Sequence, residues 1–228
     1  NGIDNDKVEI YKVPISIALK ESDFNNPNKH DFYLTTTTGQ FTVNDTPTSY
    51  YMLNVQQTGF YRVHYSDDNW NKIGDALASE NKIHVLNRAQ VVDDLFHLAR
   101  VGIVEYSQAI NNIRFLKNET HYIPWLAAIN QGLTYLSQRV QEKDVEVFNW
   151  FVNDLMDNIY KHLTFEPRED DSRTDVYNRV NILTWTCKYG HAECIEKPRV
   201  AFEEYAGSFK KVPKDHRIVV YCNAIRYR

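Results

Sequence analysis

The 228-residue chain lacks an excess of either charge, a long apolar run and a glycine-rich loop, and it has only three cysteines. Its 26 basic and 30 acidic residues leave a net charge of −4, which gives no electrostatic pull toward nucleic acid or anionic lipid. No apolar stretch approaches the ~20 residues that a helix needs to cross a bilayer. The chain opens on Asn1 rather than Met, and the polar, mixed-charge residues that follow do not form a signal peptide, so it reads as a processed or excised piece. What is present is apolar mass. Hydrophobic residues make up 43% of the chain and aromatics 13%, enough to build a buried core and to set disorder aside.

The usual catalytic patterns are also missing. A zinc hydrolase helix needs two histidines four apart, with a glutamate beside the first as general base. Among the eight histidines no two are four apart, and none is followed by Glu. There is no Gly-x-Ser-x-Gly elbow. The acidic pair Asp93-Asp94 reads as solvated or paired with Arg88 or Arg100, and Glu169-Asp170-Asp171 reads as a solvated loop. These absences predict no catalytic, cofactor or metal-ligating residue in the chain.

Two regions follow one another, giving an α+β composition in two domains. Residues 1–65 alternate in short β-branched and aromatic runs: Val8 to Val13, Ile15 to Leu19, Asp31 to Thr36, Gln40 to Val43, Tyr50 to Val55 and Gly59 to Tyr65. Pro14, Gly39 and the Asn25–Asn28 cluster punctuate them, which predicts a small antiparallel β-sandwich. Residues 66–228 carry apolar stripes at three- and four-residue spacing. The first is Trp70, Ile73 and Leu77, capped by Asp67 or Asp68, and the next runs from Leu86 to Ala99 and stops at Gly102. Further helices are predicted from Ser107 to Leu116, from Thr120 to Leu136 with Pro124 in the first turn, and from Val145 to Ile159. The last three cover Val176 to Cys187, Ile195 to Tyr205 and Asp215 to Ile225. Seven or so helices on short links suggest stacked hairpins, a solenoid-like array, and each stripe reads first as core.

Cys187 and Cys194 straddle Gly190, where the chain folds back between two helices. They read as a local staple, as two reduced buried thiols or, with His191, as part of a metal site that lacks a fourth ligand nearby. The odd count suggests one pair and one orphan in an oxidising compartment. Asn118-Glu119-Thr120 and Asn44-Asp45-Thr46 are glycosylation acceptors, the second weakened by Pro47. Together these features tilt toward a secreted or cell-surface protein.

Five segments, in order, resemble landmarks of the M1-family zinc aminopeptidases of the aminopeptidase N type. Leu53 to Tyr65 resembles the end of that family's β-sandwich domain, and Trp70 falls where its helical domain opens. Asn87-Arg88-Ala89-Gln90-Val91-Val92-Asp93-Asp94 is similar to the next landmark, although the family usually has Asp where Asn87 stands. Glu119 to Trp125, Cys187 to Cys194, and Val220 to Ile225 complete the set, which covers Leu53 to Ile225.

The resemblance implies a non-catalytic C-terminal portion of an extracellular, membrane-anchored zinc aminopeptidase: a β-sandwich spacer and a truncated helical bowl that encloses a peptide substrate. Zinc would belong to the parent enzyme, in a catalytic domain of the same protein that precedes Asn1. The resemblance also implies a Cys187–Cys194 disulfide, the pairing of animal members, and a Cys222 whose partner lies beyond Arg228. Homodimerisation or a receptor role are further implications. The alternative is a stand-alone helical binding or receptor module without peptidase activity. A His-Glu-x-x-His helix upstream would decide between the two.

Overall fold

The computed structural model describes residues 11–43, 49–79, 82–208 and 210–227. The expected start of the first strand at Val8 and the acceptor Asn44 lie outside these residues.

The β region holds two small antiparallel ladders. β1 (Val13–Ile15) pairs with β3 (Phe32–Leu34), placing Val13 against Leu34 and Ile15 against Phe32. β2 (Ile17–Ala18) pairs with β4 (Met52–Leu53). Pro14, expected to interrupt the strand, sits in the middle of β1, tolerated because a two-stranded ladder leaves each strand one free edge. Ser16 joins the ladders. Its carbonyl accepts from Asn54 N–H and its hydroxyl from Val55 N–H.

Two expected strands are not strands. Residues 40–43 are irregular, with Phe41 stacked on Phe32 at 5.2 Å. Residues 59–65 are irregular too, because side chains take the backbone groups that a ladder would use. Asn54 Nδ2 donates to the Gly59 and Tyr61 carbonyls, its Oδ1 accepts from Gly59 N–H, and Asp94 accepts from Val63 N–H.

The helices follow the apolar stripes closely. α1 (Asp67–Ser79) buries Trp70, Ile73 and Leu77. The expected cap is shifted by one residue: Ser66 Oγ accepts from Asn69 N–H. Asp67 and Asp68 lie inside the first turn, where their charges suit the helix dipole. α2 (Val85–Arg100) is buried on nearly every side and ends before Gly102, whose φ of +77° reverses the chain. The stretch expected as one helix from Ser107 divides into α3 (Tyr106–Asn112) and a 3-10 helix (Ile113–Asn118).

α4 (Tyr122–Ala127), a π segment (Ala128–Leu133) and α5 (Thr134–Ser137) run on without a break. The π segment lies where Gly132 meets α2, and a Cβ at Gly132 would overlap the Phe96 ring. α6 (Val145–Leu163), α7 (Arg173–Lys188), α8 (Ala192–Ser208) and α9 (Arg217–Arg226) complete the fold. Ser172 and Asp175 form a capping box at the start of α7. α2 packs on α4, α6 on α7, and α8 on α9, with α7 reaching α4 and α9. One apolar core runs from Ala18 through Trp70, Trp125 and Leu155 to Val220, so the β region and the helices share it.

Candidate functional site

The histidines do structural work. His84 Nδ1 accepts from Leu86 N–H at the start of α2, and His121 Nδ1 accepts from Ile123 N–H at the start of α4. His191 Nδ1 accepts from Cys194 N–H in the first turn of α8. An accepting nitrogen must be unprotonated. For His84, burial above all, then the nearby Arg88 cation and His121, holds the pKa below its ordinary value and favours the neutral form. Among the described residues no three His, Cys, Asp or Glu side chains gather to hold a metal ion. The described residues therefore offer no ligand set for a zinc ion.

The polar side chains that do converge form a buried junction between the β region and α2. Asn87 Oδ1 accepts from Gln56 N–H at 2.7 Å, while its Nδ2 donates to the Asn54 carbonyl at 3.1 Å and to Gln90 Oε1 at 2.8 Å. Gln90 Nε2 donates to Asp94 Oδ2 at 3.2 Å, and that oxygen also takes the Val63 N–H at 3.1 Å. Asn54, Gln56 and Gln57 all have positive φ, between 52° and 61°, a conformation costly for residues with a Cβ. Asn87 and Asn54 supply the hydrogen bonds that hold this turn.

Asp93 and Asp94 do not pair with Arg88 or Arg100. Asp93 meets Arg62 and His97. Arg88 instead grips Glu119 at 2.6 Å and the Ile83 carbonyl at 2.8 Å, and Arg100 donates to the Gln131 carbonyl. Glu119 in turn accepts from His121 N–H, and its carbonyl takes the Trp125 indole N–H. Asp171 is not solvated either: it lies in a buried pair with Arg179.

Asp94 is 2% exposed and its Oδ1 has no hydrogen-bond partner. Burial drives its pKa up to about 7, reinforced by Asp93 and opposed by the Val63 N–H, Gln90 and Arg62. A raised folded-state pKa means that the folded chain holds the proton more tightly than the unfolded one. The stability contributed by protonated Asp94 is therefore present below the unfolded carboxylate range and is lost as pH rises through about 7. Urea denaturation across that window should show this decline, and Asp94→Asn should flatten it. An unchanged slope in the variant would exclude Asp94 as its source.

Cys187 and Cys194 are disulfide-bonded, joining the end of α7 to the start of α8 across Gly190 at φ +91°. Cys222 is free and exposed. Asn118 is exposed at the end of its 3-10 helix, beside buried Glu119. Sequence reasoning missed the junction. A signal was available: Asn87, Gln90 and Asp94 recur at helical spacing among the apolar residues Ala89, Val91, Val92 and Leu95, so they share one face of a largely buried helix.

The described residues thus form a mainly helical fold with a small antiparallel β region and carry no metal centre. The family model described as ERAP1-like C-terminal domain matches residues 50–228, and the chain belongs to that family. It is 39% identical over 178 residues to the membrane alanyl aminopeptidase of Heliothis virescens, covering 77% of this chain and 18% of that protein. It is 34% identical over 198 residues to the enzyme of the same name in Manduca sexta, covering 83% of this chain and 20% of that protein. Aminopeptidase N of Bos taurus is 34% identical over 185 residues, covering 76% and 19%. The chain thus spans about a fifth of the length of these curated relatives.

Proposed function

We propose that the chain is the non-catalytic C-terminal portion of a cell-surface zinc aminopeptidase that removes N-terminal residues from peptides. The observation that carries this reading is the match of residues 50–228 to the ERAP1-like C-terminal domain, together with the likeness over most of the chain to proteins named as membrane alanyl aminopeptidases. Residues 1–65 act as a spacer domain, and residues 66–228 stack as a curved, solenoid-like wall of a chamber that encloses the peptide. The wall excludes water and limits which peptides enter, while a catalytic domain of the same protein supplies the chemistry. The zinc, as Lewis acid and activator of water, belongs to that domain.

Exposure at the cell surface goes with a structural disulfide and a glycan. Cys187 and Cys194 are the bonded pair, Cys222 is a thiol in the isolated chain of residues 1–228, and Asn118 is the better of the two glycosylation acceptors, Asn44 the poorer. Alkylation of that isolated chain, denatured and unreduced, should label Cys222 alone. Three labelled cysteines would reject the extracellular assignment. The loop closed by the bond is short, so its loss in Cys187→Ser should cost about 2–3 kcal/mol in the chain-entropy account.

The reading is tested on the full-length natural protein. It should hydrolyse alanyl reporter substrates, lose that activity to a chelator and regain it with zinc. A full-length protein that binds no zinc and hydrolyses nothing would instead favour a stand-alone binding module.

A further inference from the structure

α6 carries an exposed tryptophan that its own packing does not explain. Trp70, Trp125 and Trp185 are 0%, 0% and 9% exposed, whereas Trp150 is 65% exposed, and Val147 one turn before it is 66% exposed. Trp150 lines an open groove of about 380 Å³ whose other lining is polar: Lys117, Asn153, Asp154, Asp157, Asn158 and His191. An indole face beside amides, carboxylates and an imidazole is the surface a hexose needs. Its C–H face rests on the aromatic ring, and its hydroxyls and acetamido group find donors and acceptors around it.

The groove has a candidate occupant in the same chain. Trp150, Asp154 and Asn158 lie four residues apart on one stripe of α6. Lys117 binds that stripe twice: its ammonium meets Asp154 at 2.7 Å, and its carbonyl accepts from Asn158 Nδ2 at 2.9 Å. The next residue is Asn118, exposed and followed by Glu119-Thr120. Asn118 thus follows directly on a carbonyl anchored at Asn158, which lies about 12 Å along the helix axis from Trp150 at 1.5 Å per residue. The first few sugars of a glycan span such a distance.

We propose that the core sugars of a glycan on Asn118 lie along this groove and stack on Trp150, covering the exposed face of α6. The inference rests on the cell-surface reading above, which supplies the glycan. Its basis is the juxtaposition of Asn118, the Lys117–Asp154–Asn158 contacts and the exposed indole.

The test uses the full-length protein secreted from eukaryotic cells, with hydroxyl-radical footprinting read by peptide mass spectrometry. Asn118 should carry a glycan mass, and oxidation of Trp150 should be slow. Enzymatic removal of the glycan under native conditions, or Thr120→Ala, should raise that oxidation several-fold while leaving Tyr177, exposed on α7, unchanged. If Asn118 carries its glycan but Trp150 is oxidised equally with and without it, the groove proposal is overturned and the surface is left for a protein partner. If Asn118 is bare in the secreted protein, the glycoprotein reading fails and takes this inference with it.

Discussion

Asp171→Ala should destabilise the chain by about 3–5 kcal/mol, because it leaves the Arg179 guanidinium buried without its counter-charge. Arg179 is 2% exposed and Asp171 3% exposed at the side chain, and they meet at 2.6 Å. The arginine also donates to the Leu163 and Thr164 carbonyls, where α6 ends and its last acceptors have no intrahelical partner. Thr164 holds a positive φ of 57° at that end, so the pair fixes both a helix terminus and a reversal of the chain.

The Arg179 guanidinium, with Arg168 adding hydrogen bonds, holds the Asp171 carboxyl well below the usual carboxylate range. This stability is present above the unfolded carboxylate pKa and is lost as pH falls through the acid range, opposite in sign to Asp94. Urea midpoints of Asp171→Ala, Arg179→Met and the double variant would separate the pair from its desolvation. The single carboxylate deletion should be the worst, with the double variant recovering part of the loss. Equal stability of Asp171→Ala and wild type would show that the pair holds nothing.

Asn87→Ala should cost about 1–3 kcal/mol, since it strands the Gln56 N–H, whereas the Asn54 carbonyl loses one of two donors and keeps the Gln57 N–H. It also releases the turn at residues 54–57, whose three left-handed residues store strain. Asn87→Asp tests the chemistry more finely. A carboxylate there keeps the acceptor for Gln56 N–H but loses the donor to the Asn54 carbonyl and, unless Gln90 reverses its amide, sets an oxygen against Gln90 Oε1. Asp should therefore be milder than Ala in thermal melts. Equal losses would mean that the donor and the acceptor of Asn87 do not act separately.

The helices were legible in the sequence because their stripes answer to one physical demand, burial on one face. Trp70, Ile73 and Leu77 are buried as their spacing requires, and Gly102 and Gly190 end helices where the chain turns back. The β region was only partly legible. The alternation in Gly59–Tyr65 marks burial of Val63 and Tyr65 against exposure of Phe60 and His64, which a strand and an irregular segment satisfy equally well. What decides between them is where the backbone N–H and C=O groups go, and here they go to Asn54 and Asp94.

The same limit hid Asp171. A charge in a polar loop reads as solvated until the fold brings Arg179, eight residues on, against it. The resemblance to M1 aminopeptidases located the Asn87–Asp94 segment but not its task, which is to tie the β region onto α2. Asn118 was legible as the first residue of an Asn-x-Thr motif. That Asn158 and Asp154 bind the residue beside it depends on how the 3-10 helix packs on α6.

The central claim is that this chain shapes an aminopeptidase and performs no hydrolysis itself. Its most direct test is the purified chain, incubated with equimolar zinc and assayed on an alanyl reporter across neutral pH. The expected result is no turnover above buffer. Hydrolysis that appears with zinc and disappears with a chelator would contradict the account.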